Sequence, residues 1–237
     1  MMFRERSHEL ERIDTGDYTP EEYATFLNEI RFINRYLGDA RALRKSLLRD
    51  IELKNLHEFS LLDVACGSGE LLRQAAQLAR KGNRVARLAG LDLHELSFSR
   101  SAEHGVGFPE ISYVRGDAFR LPFADGTFDY AISSLFFHHL TEEQIPVVIN
   151  EMNRVARRGS FVIDLHRHPA AYFFYRRFCD LYRISPLVKE DGLLSILRGF
   201  KPSELHKMLR SEYVDVEKVA RVAPFRLVAF CRPVSST

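Results

Sequence analysis

Residues 61–70 combine an apolar run with an acid, a cysteine and two glycines, in the order Leu-Leu-Asp-Val-Ala-Cys-Gly-Ser-Gly-Glu. The apolar run predicts a buried strand, and the apolar residues after Glu70 repeat with the helical period. Gly67 and Gly69 permit a sharp turn and allow a ligand to contact bare backbone, which a Cβ atom would prevent. The segment therefore predicts a strand, a ligand cradle and a helix, with Asp63 inside the strand.

Two classes of ligand bind such units, and the residues at positions 63 and 72 separate them. A dinucleotide site requires Gly or Ala at position 72, so that the helix packs tightly on the strand. This chain has Leu72, and its Asp63 is poorly suited to a pyrophosphate. A carboxylate there suits a ligand with an ammonium and a sulfonium. The pattern favours a cationic cofactor and disfavours an NAD(P)-dependent oxidoreductase.

Further polar residues follow the next predicted strands. Asp92 lies near the end of predicted strand 87–93, where a carboxylate can accept hydrogen bonds from two ribose hydroxyls. Asp117 follows a shorter predicted strand, 111–115, and a fourth predicted strand, 128–134, ends in two serines. The polar residues thus recur where parallel strands end.

In order, these segments resemble motifs I to IV of the class I S-adenosylmethionine (SAM)-dependent methyltransferases. The resemblance covers about residues 59–231 and implies an α/β, Rossmann-like sheet of seven mostly parallel strands, with helices on both faces and an antiparallel C-terminal strand. It implies SAM as cofactor, and we expect no metal. The residues implied to bind SAM are Asp63, Ala65, Cys66, Gly67, Gly69, Asp92, Leu93, Asp117, Ala118, Ser133, Ser134 and, from an N-terminal helix, Arg35.

Each of these assignments has a structural alternative. Asp63 is also compatible with a buried acid that bonds the amides of the loop, and Asp117 with a residue that caps a turn. Asp92 is compatible with a surface acid at the start of a helix, and Arg35 with a solvated helix face. Because a single ligand would need a partner at every one of these positions, the SAM interpretation is favoured.

Three histidines are candidate catalytic bases, since imidazole titrates near neutral pH. His138 and His139 follow the fourth predicted strand, where the substrate approaches the methyl group in this fold, and His166 ends the predicted strand 160–166. A histidine before Leu140 is frequent in relatives with unrelated substrates, so a role in bracing the loop is the alternative. His168-Pro169 is also compatible with a simple helix start.

Helical segments flank the predicted sheet. Thr19-Pro20-Glu21-Glu22 predicts a capped helix start, Gly38 its end, and a further helix over residues 40–53. We expect residues 1–57 to form an N-terminal helical cover and residues 58–237 the methyltransferase domain, with a helical insertion at about 168–200. The aromatic residues of that insertion indicate either core or the wall of a pocket for a flat acceptor.

Composition narrows the class of partner. The 237 residues carry 34 Lys and Arg against 32 Asp and Glu, a formal charge of +2 that argues against a nucleic-acid groove or an anionic membrane surface. The three cysteines form no Cys-x-x-Cys pair, which favours a reducing, cytoplasmic environment. No apolar run approaches the ~18 residues of a membrane span. We expect a small-molecule acceptor, no nucleic acid, and a monomer or homodimer.

The sequence therefore predicts SAM-dependent methyl transfer to a small organic acceptor. Segments 34–38, 154–159 and 224–226 resemble a bacterial secondary-metabolism subgroup linked with polyketide pathways, which implies O-methylation of a phenolic, enolic or pyrone-like product. The alternatives are a non-catalytic SAM-binding partner subunit and a C- or N-methyltransferase of another small molecule. A nucleic-acid N-methyltransferase is disfavoured because Ser133-Ser134-Leu135-Phe136 replaces the expected Asn/Asp-Pro-Pro-Tyr/Phe motif.

Overall fold

A computed structural model describes residues 2–36, 39–94 and 107–234, without the side chains of residues 35 and 36. Seven strands of this part of the chain form one sheet in the order β3-β2-β1-β4-β5-β7-β6. β7 is antiparallel to both of its neighbours, and the other pairings are parallel. The strands are β1 (Glu58–Val64), β2 (Val85–Asp92), β3 (Ile111–Arg115), β4 (Tyr130–Ser134), β5 (Ser160–Leu165), β6 (Val214–Val222) and β7 (Arg226–Pro233).

The central strands are buried on both faces, as their continuous apolar sequences predict. In the register of these strands Asp63 pairs with Gly90 of β2 on one side and with Ile132 of β4 on the other. The chain proceeds outward from β1 to β2 and returns to β4 on the opposite side of β1. A ligand crevice is expected at the carboxyl ends of strands where the order reverses in this way.

Helices cover both faces of the sheet. The N-terminal set comprises α1 (Arg12–Thr15), α2 (Pro20–Tyr36), α3 (Asp39–Leu43), a π-helical turn (Arg44–Leu48) and α4 (Arg49–Leu53). The remainder are α5 (Glu70–Lys81), a 3₁₀ turn (Phe137–His139), α6 (Gln144–Val155), α7 (Pro169–Tyr182), α8 (Pro186–Arg198) and α9 (Pro202–Leu209). No helix of the described residues is long and apolar enough to cross a membrane.

Two apolar layers hold the helices on the sheet. On one face α5 packs beside the segment 39–53, and Leu43, Leu47 and Ile51 from that segment are completely buried. On the other face α6 and α9 pack against the strands. A further apolar cluster joins α2, α7 and α8. Thus segment 39–53 is part of the core, whereas α2 lies with the helices of the expected insertion.

Several local predictions are confirmed. Thr19 and Glu22 exchange hydrogen bonds in a capping box at the start of α2, and Thr141 and Gln144 do so before α6. Other boundaries differ from the prediction. The helix expected over 40–53 contains the π-helical turn, and β4 begins at Tyr130, since Phe128 forms only an isolated bridge with Ala156. The expected helix end at Gly38 lies outside the described residues.

Candidate active site

The loop between β1 and α5 forms a tight cradle. Ala65, Gly67 and Gly69 have φ values of 59°, 53° and 73°, the left-handed region that favours glycine. The Cys66 amide donates to the Leu91 carbonyl at 3.0 Å, and the Gly69 amide donates to the Cys66 carbonyl at 2.9 Å. These bonds hold the loop across the ends of β1 and β2.

The two glycines of the cradle have different environments. A Cβ atom at Gly67 would lie more than 4 Å from any neighbouring described atom and would point into open space on the wall of a cavity. A Cβ atom at Gly69 would lie 2.4 Å from the Tyr113 hydroxyl oxygen. Gly67 is therefore the glycine that leaves room for a ligand, and Gly69 is required by packing against β3.

Asp63 lies at the bottom of the cradle with an unsatisfied carboxylate oxygen. Asp63 is only 2% exposed, and its Oδ1 has no hydrogen-bond partner among the described residues. Burial raises the pKa of Asp63 well above its ordinary value, and the nearby charge of Asp92 adds to the effect. A buried oxygen of this kind is costly without a donor, and a ligand ammonium would supply one.

Asp92 ends β2 and lines the same cavity. Its Oδ2 accepts a hydrogen bond from the Gly67 amide at 2.8 Å, and its Oδ1 accepts one from the His94 amide at 2.9 Å. Each carboxylate oxygen can accept more than one hydrogen bond, so both retain capacity for ligand hydroxyls. The exposed Leu93 also lines the cavity.

Most of the other residues predicted to bind the cofactor line the cavity, but Ser133 is not among the described lining residues. Asp117 lines the cavity and also caps a turn, because its Oδ1 accepts from the Phe119 amide at 2.9 Å. Ala65, Cys66, Ala118 and Ser134 line the cavity too. Ser133 is completely buried and is not among the described lining residues, and the side chain of Arg35 lies outside the described part.

The cavity has a volume of about 1210 Å³ and continues beyond the cradle between α2, α7 and the ends of β4 and β5. A drug-sized ligand occupies a pocket of roughly 300–1,000 Å³, so this volume accommodates two ligands from the lower part of that range. The second part of the wall is apolar and largely aromatic, and includes Phe26, Ile30, Phe136, Phe174, Phe178 and Phe225. The aromatic residues of α7 thus contribute to a pocket wall as well as to an apolar cluster.

His138 lines the cavity from the 3₁₀ turn that follows β4. Its Nδ1 lies 2.8 Å from Oδ1 of the completely buried Asp164, and its backbone amide donates to Oδ2 of the same residue at 3.2 Å. Burial favours the neutral carboxyl of Asp164, but the charge and hydrogen bond of His138 outweigh this and lower its pKa. When the imidazole is neutral, the carboxylate holds its proton on Nδ1 and leaves the Nε2 lone pair free.

His139 is held by a second carboxylate, from the N-terminal segment. Its Nδ1 lies 3.1 Å from Oδ2 of Asp14, which also accepts from Nη1 of Arg198 at 2.7 Å. Burial of Asp14 opposes its ionisation, but hydrogen bonds and charges from His139 and Arg198 lower its pKa to about 2. The pKa of His139 is raised: burial favours neutral imidazole, but Asp14 and Glu11 stabilise the protonated form.

His166 stands apart from this arrangement. It is not among the described residues that line the cavity, and its backbone amide donates to the Phe225 carbonyl at 3.0 Å. Burial, followed by the charges of His168, Arg221 and Arg167, lowers its pKa to about 4. His168 accepts a hydrogen bond from the Ala170 amide and caps α7, in agreement with the simple helix-start interpretation.

Sequence reasoning did not identify Glu11 and Asp14, although both line the cavity. The contact between Asp14 and His139 joins residues separated by 125 positions. Neither acid belongs to a periodic apolar pattern or follows a predicted strand, so no local signal distinguishes it from other acids of the N-terminal segment. Asp164, by contrast, lies at a predicted strand end.

The strand order, the cradle after β1 and the acids at the ends of β1 and β2 define a class I methyltransferase fold. Residues 62–163 match the methyltransferase domain family. The match spans β1 to β5, which carry the cradle and His138.

Individual relatives agree with this class. The chain is 32% identical over 117 residues to an uncharacterized methyltransferase of Synechocystis, covering 48% of this chain and 50% of that protein. It is 26% identical over 139 residues to the demethylmenaquinone methyltransferase of Staphylococcus aureus, covering 59% and 55%. The chain thus spans about half the length of the curated relatives it matches.

Solved structures share the fold at lower identity. Magnesium protoporphyrin IX methyltransferase from Synechocystis, solved with bound S-adenosylhomocysteine, superposes with a TM-score of 0.65 at 14% identity, over 95% of this chain and 100% of that one. A SAM-dependent methyltransferase from Aquifex aeolicus superposes with a TM-score of 0.55 at 18% identity, over 77% and 87%. These likenesses confirm the predicted fold.

Proposed function

We propose that this protein transfers the methyl group of SAM to a small organic acceptor. The observation that carries the proposal is that one cavity is lined by Asp63 with its unsatisfied carboxylate, by an aromatic wall and by His138. A cofactor and an acceptor bound in the two parts would meet at the junction. Holding two reactants in this orientation supplies much of the acceleration of a displacement reaction.

The roles of the cofactor residues follow from their positions. Asp63 would accept hydrogen bonds from the ammonium group, and the open space at Gly67 would admit the cofactor to the backbone. Asp92 would accept from the ribose hydroxyls, while Asp117 and the Ala118 amide would contact the adenine edge. We retain the predicted contact of Arg35 with the methionine carboxylate or the acceptor as a prediction.

We propose O-methylation of a phenolic, enolic or pyrone-like metabolite. The aromatic wall formed by α2, α7 and the end of β4 supports a flat, apolar acceptor. The names of two similar proteins refer to demethylmenaquinone and to magnesium protoporphyrin IX, which is in keeping with such an acceptor. On this view α1, α2 and residues 168–200 cover the acceptor, and the expected cytoplasmic location and monomeric or homodimeric state remain predictions.

Among the predicted bases, His138 is the residue that we propose activates the acceptor hydroxyl. It lines the cavity, and Asp164 fixes its tautomer and orientation. Bound SAM supplies an electrophilic methyl group, and the aromatic wall excludes water from the junction. His139 is proposed to support the site from the N-terminal segment, and His166, outside the lining, to act as scaffold.

Two measurements test the proposal against its alternatives. Calorimetry should show binding of SAM and none of NADH. With SAM carrying a labelled methyl group, incubation with a panel of phenols, enols and pyrones should give a labelled product, and the position of the label separates O- from C- or N-methylation. SAM binding without transfer to any member of a broad panel would favour the non-catalytic partner subunit.

A further inference from the structure

Three side chains on the wall of the cavity form a cluster of metal-ligating groups, and the proposed activity gives no role to one of them, Glu11. One ligating atom from each of Glu11, His138 and His139 lies within 4.8 Å of the other two. All three residues line the cavity. Their donor set, two imidazoles and one carboxylate, is that of catalytic zinc sites with an open coordination position.

Both histidines are already oriented as metal ligands commonly are. A ligating histidine usually donates its other ring N–H to a carboxylate, which fixes the tautomer and raises the basicity of the ligating nitrogen. Asp164 occupies Nδ1 of His138, and Asp14 occupies Nδ1 of His139. In each ring Nε2 is the nitrogen left to bind an ion.

Glu11 supplies the independent sign that a ligand is expected here. The residue is only 3% exposed, yet its Oε1 has no hydrogen-bond partner among the described residues. Oε1 lies 3.9 Å from Nε2 of His138 and 3.7 Å from Nη1 of Arg198, and both separations exceed a hydrogen bond. A buried carboxylate oxygen without a donor is costly, and a cation between Glu11 and the histidines would remove that cost.

The charges around the cluster are compatible with a dication. Three carboxylates, of Glu11, Asp14 and Asp164, face two guanidinium groups, of Arg6 and Arg198. Arg198 donates hydrogen bonds to Asp14 and to the backbone carbonyls of His138 and His139. Arg6 donates to the backbone carbonyls of His138 and Leu140. Apart from the two imidazoles, the negative groups therefore exceed the positive ones by one charge.

We propose that Glu11, His138 and His139 bind a divalent transition-metal ion of the Zn²⁺ type. The mixed imidazole and carboxylate donors favour such an ion over Mg²⁺ or Ca²⁺, which prefer oxygen ligands. Binding requires the ligating atoms to draw together, since Zn–N and Zn–O bonds are about 2.0–2.2 Å. The proposal replaces the expectation from sequence that the protein holds no metal.

The site would deepen the proposed function, on which this part of the inference rests. An ion held by these residues would bind the acceptor oxygen, lower the pKa of its hydroxyl and let the proton pass to solvent as the acceptor binds. The oxygen would then form its bond to the methyl carbon as the methyl–sulfur bond of SAM breaks and S-adenosylhomocysteine leaves. His138 would activate the acceptor by holding the ion, and direct acceptance of the proton by its Nε2 would not be required. An acceptor with an ionisable oxygen suits this arrangement, in agreement with a phenol or enol.

Metal binding can be tested without any acceptor. The whole chain, stripped with a chelator and dialysed, is titrated with Co²⁺ while the visible absorption is recorded, and Zn²⁺ is then added as competitor. We expect one Co²⁺ per chain, an absorption band typical of mixed nitrogen and oxygen ligands, and its loss with one Zn²⁺. Absence of stoichiometric binding of either ion would overturn the proposal.

Variants locate the ion. Glu11→Gln and His139→Gln should each weaken Zn²⁺ binding by more than about 100-fold, and Asp14→Asn by about 10- to 100-fold, because a partner of a ligand contributes less than the ligand itself. Matched controls are Glu9→Gln and His166→Gln, which should bind Zn²⁺ as the unmodified protein does. Thermal unfolding confirms that each variant is folded. Equal affinity in all variants would place the ion elsewhere and refute the assignment.

The same preparations separate this inference from the proposed function. Loss of methyl transfer in the stripped protein, restored by Zn²⁺ while SAM affinity is constant, supports both. Transfer that persists in a chain shown to be metal-free refutes the catalytic role of the ion and leaves the proposed function intact. Stoichiometric Zn²⁺ binding without transfer to any acceptor supports the metal site and refutes the methyltransferase proposal.

Discussion

The backbone amide of Gly67 donates a 2.8 Å hydrogen bond to Oδ2 of Asp92. This bond joins the cradle after β1 to the residue that ends β2, so the two halves of the proposed cofactor site cannot move independently. It also leaves the other lone pairs of the carboxylate toward the cavity. Asp92 therefore both shapes the cradle and offers acceptors to a ligand.

Substitution Asp92→Ala should weaken SAM binding by about 10- to 100-fold. A hydrogen bond to a charged group contributes about 1.5–3 kcal/mol, and each 1.4 kcal/mol is about a factor of ten in affinity. Calorimetric titration measures the change, with Asp215→Ala on β6 as the exposed control. An unchanged dissociation constant in a folded Asp92→Ala protein would rule out a contact with the cofactor.

Substitution Asp63→Asn should weaken SAM binding and abolish a proton release that accompanies it. Because burial and then Asp92 raise the pKa of Asp63, its carboxyl stays protonated at pH values where the unfolded chain ionises it. An ammonium ligand favours the ionised form, so SAM affinity should rise with pH until the pKa of Asp63 in the folded protein is passed.

The proton release is measured by calorimetry in two buffers of different ionisation enthalpy. The control is Asp125→Asn, in an exposed turn, which should release the same number of protons as the unmodified chain. The same raised pKa predicts that the ligand-free protein loses stability as pH rises from about 4, because the folded state then resists ionisation. Equal proton release from the Asp63→Asn protein would contradict the assignment.

Substitution Gly67→Val should prevent SAM binding. It should lower the free energy of unfolding by little more than the control substitution Gly16→Val does. The two glycines have similar environments: φ is 73° at Gly16 and 53° at Gly67, and an added Cβ atom would have no described neighbour within 4 Å at either position. Unlike Gly67, Gly16 is not among the described residues that line the cavity. A side chain in the left-handed region costs about 1–2 kcal/mol at either position. Chemical denaturation and SAM titration of both variants test this, and SAM binding by Gly67→Val would place the cradle elsewhere.

Substitution His138→Gln should lower kcat by about 100-fold or more, the range expected for loss of acid–base assistance or of a bound activating group. Glutamine can still donate to the buried Asp164, so the carboxylate is not left without a partner. SAM affinity should be unchanged, because His138 is not among the residues that we propose hold the cofactor. His166→Gln is the control with normal turnover, and equal rates for both variants would make His138 a structural residue.

Substitution Asp14→Asn should destabilise the protein most between about pH 4 and pH 6.5. The pKa of Asp14 falls from 3.8 to about 2 on folding, so its contribution is present above pH 3.8 and is lost as pH falls toward 2. The raised pKa of His139 adds stability that is full below 6.5 and declines as pH rises through its folded value. Urea denaturation across this range should show a difference of up to about 2 kcal/mol, with the exposed Asp17→Asn as control. A difference independent of pH would refute the ion pair.

Local sequence was sufficient to predict the strands that carry the cradle. An apolar run followed by glycines and an acid leaves few alternatives, because buried strand, turn and helix each impose their own residue types. Segment 39–53 was less predictable. Its apolar residues indicate a helix, but the π-helical turn and its place in the core depend on packing against α5 and the sheet.

The requirement for glycine at position 69 likewise depends on tertiary structure. The Gly-x-Gly pattern predicted contact between both glycines and a ligand, whereas the structure gives Gly69 a close approach to Tyr113 of β3. Nothing near Gly69 in the sequence indicates which strand will lie beside it. The approach follows from the pairing of β2 with β3.

The amino-acid sequence by itself determined the class of fold, the position of the cradle and the acids that follow β1 and β2, since these features arise from patterns within about 10 residues. Tertiary structure decided that His138 and His139 line the cavity whereas His166 does not, and which carboxylate orients each of the two rings. It also decided that Glu11 lies beside His138 without a hydrogen-bonding partner for Oε1 among the described residues. Such contacts join distant parts of the chain through burial and charge, so no local spacing encodes them.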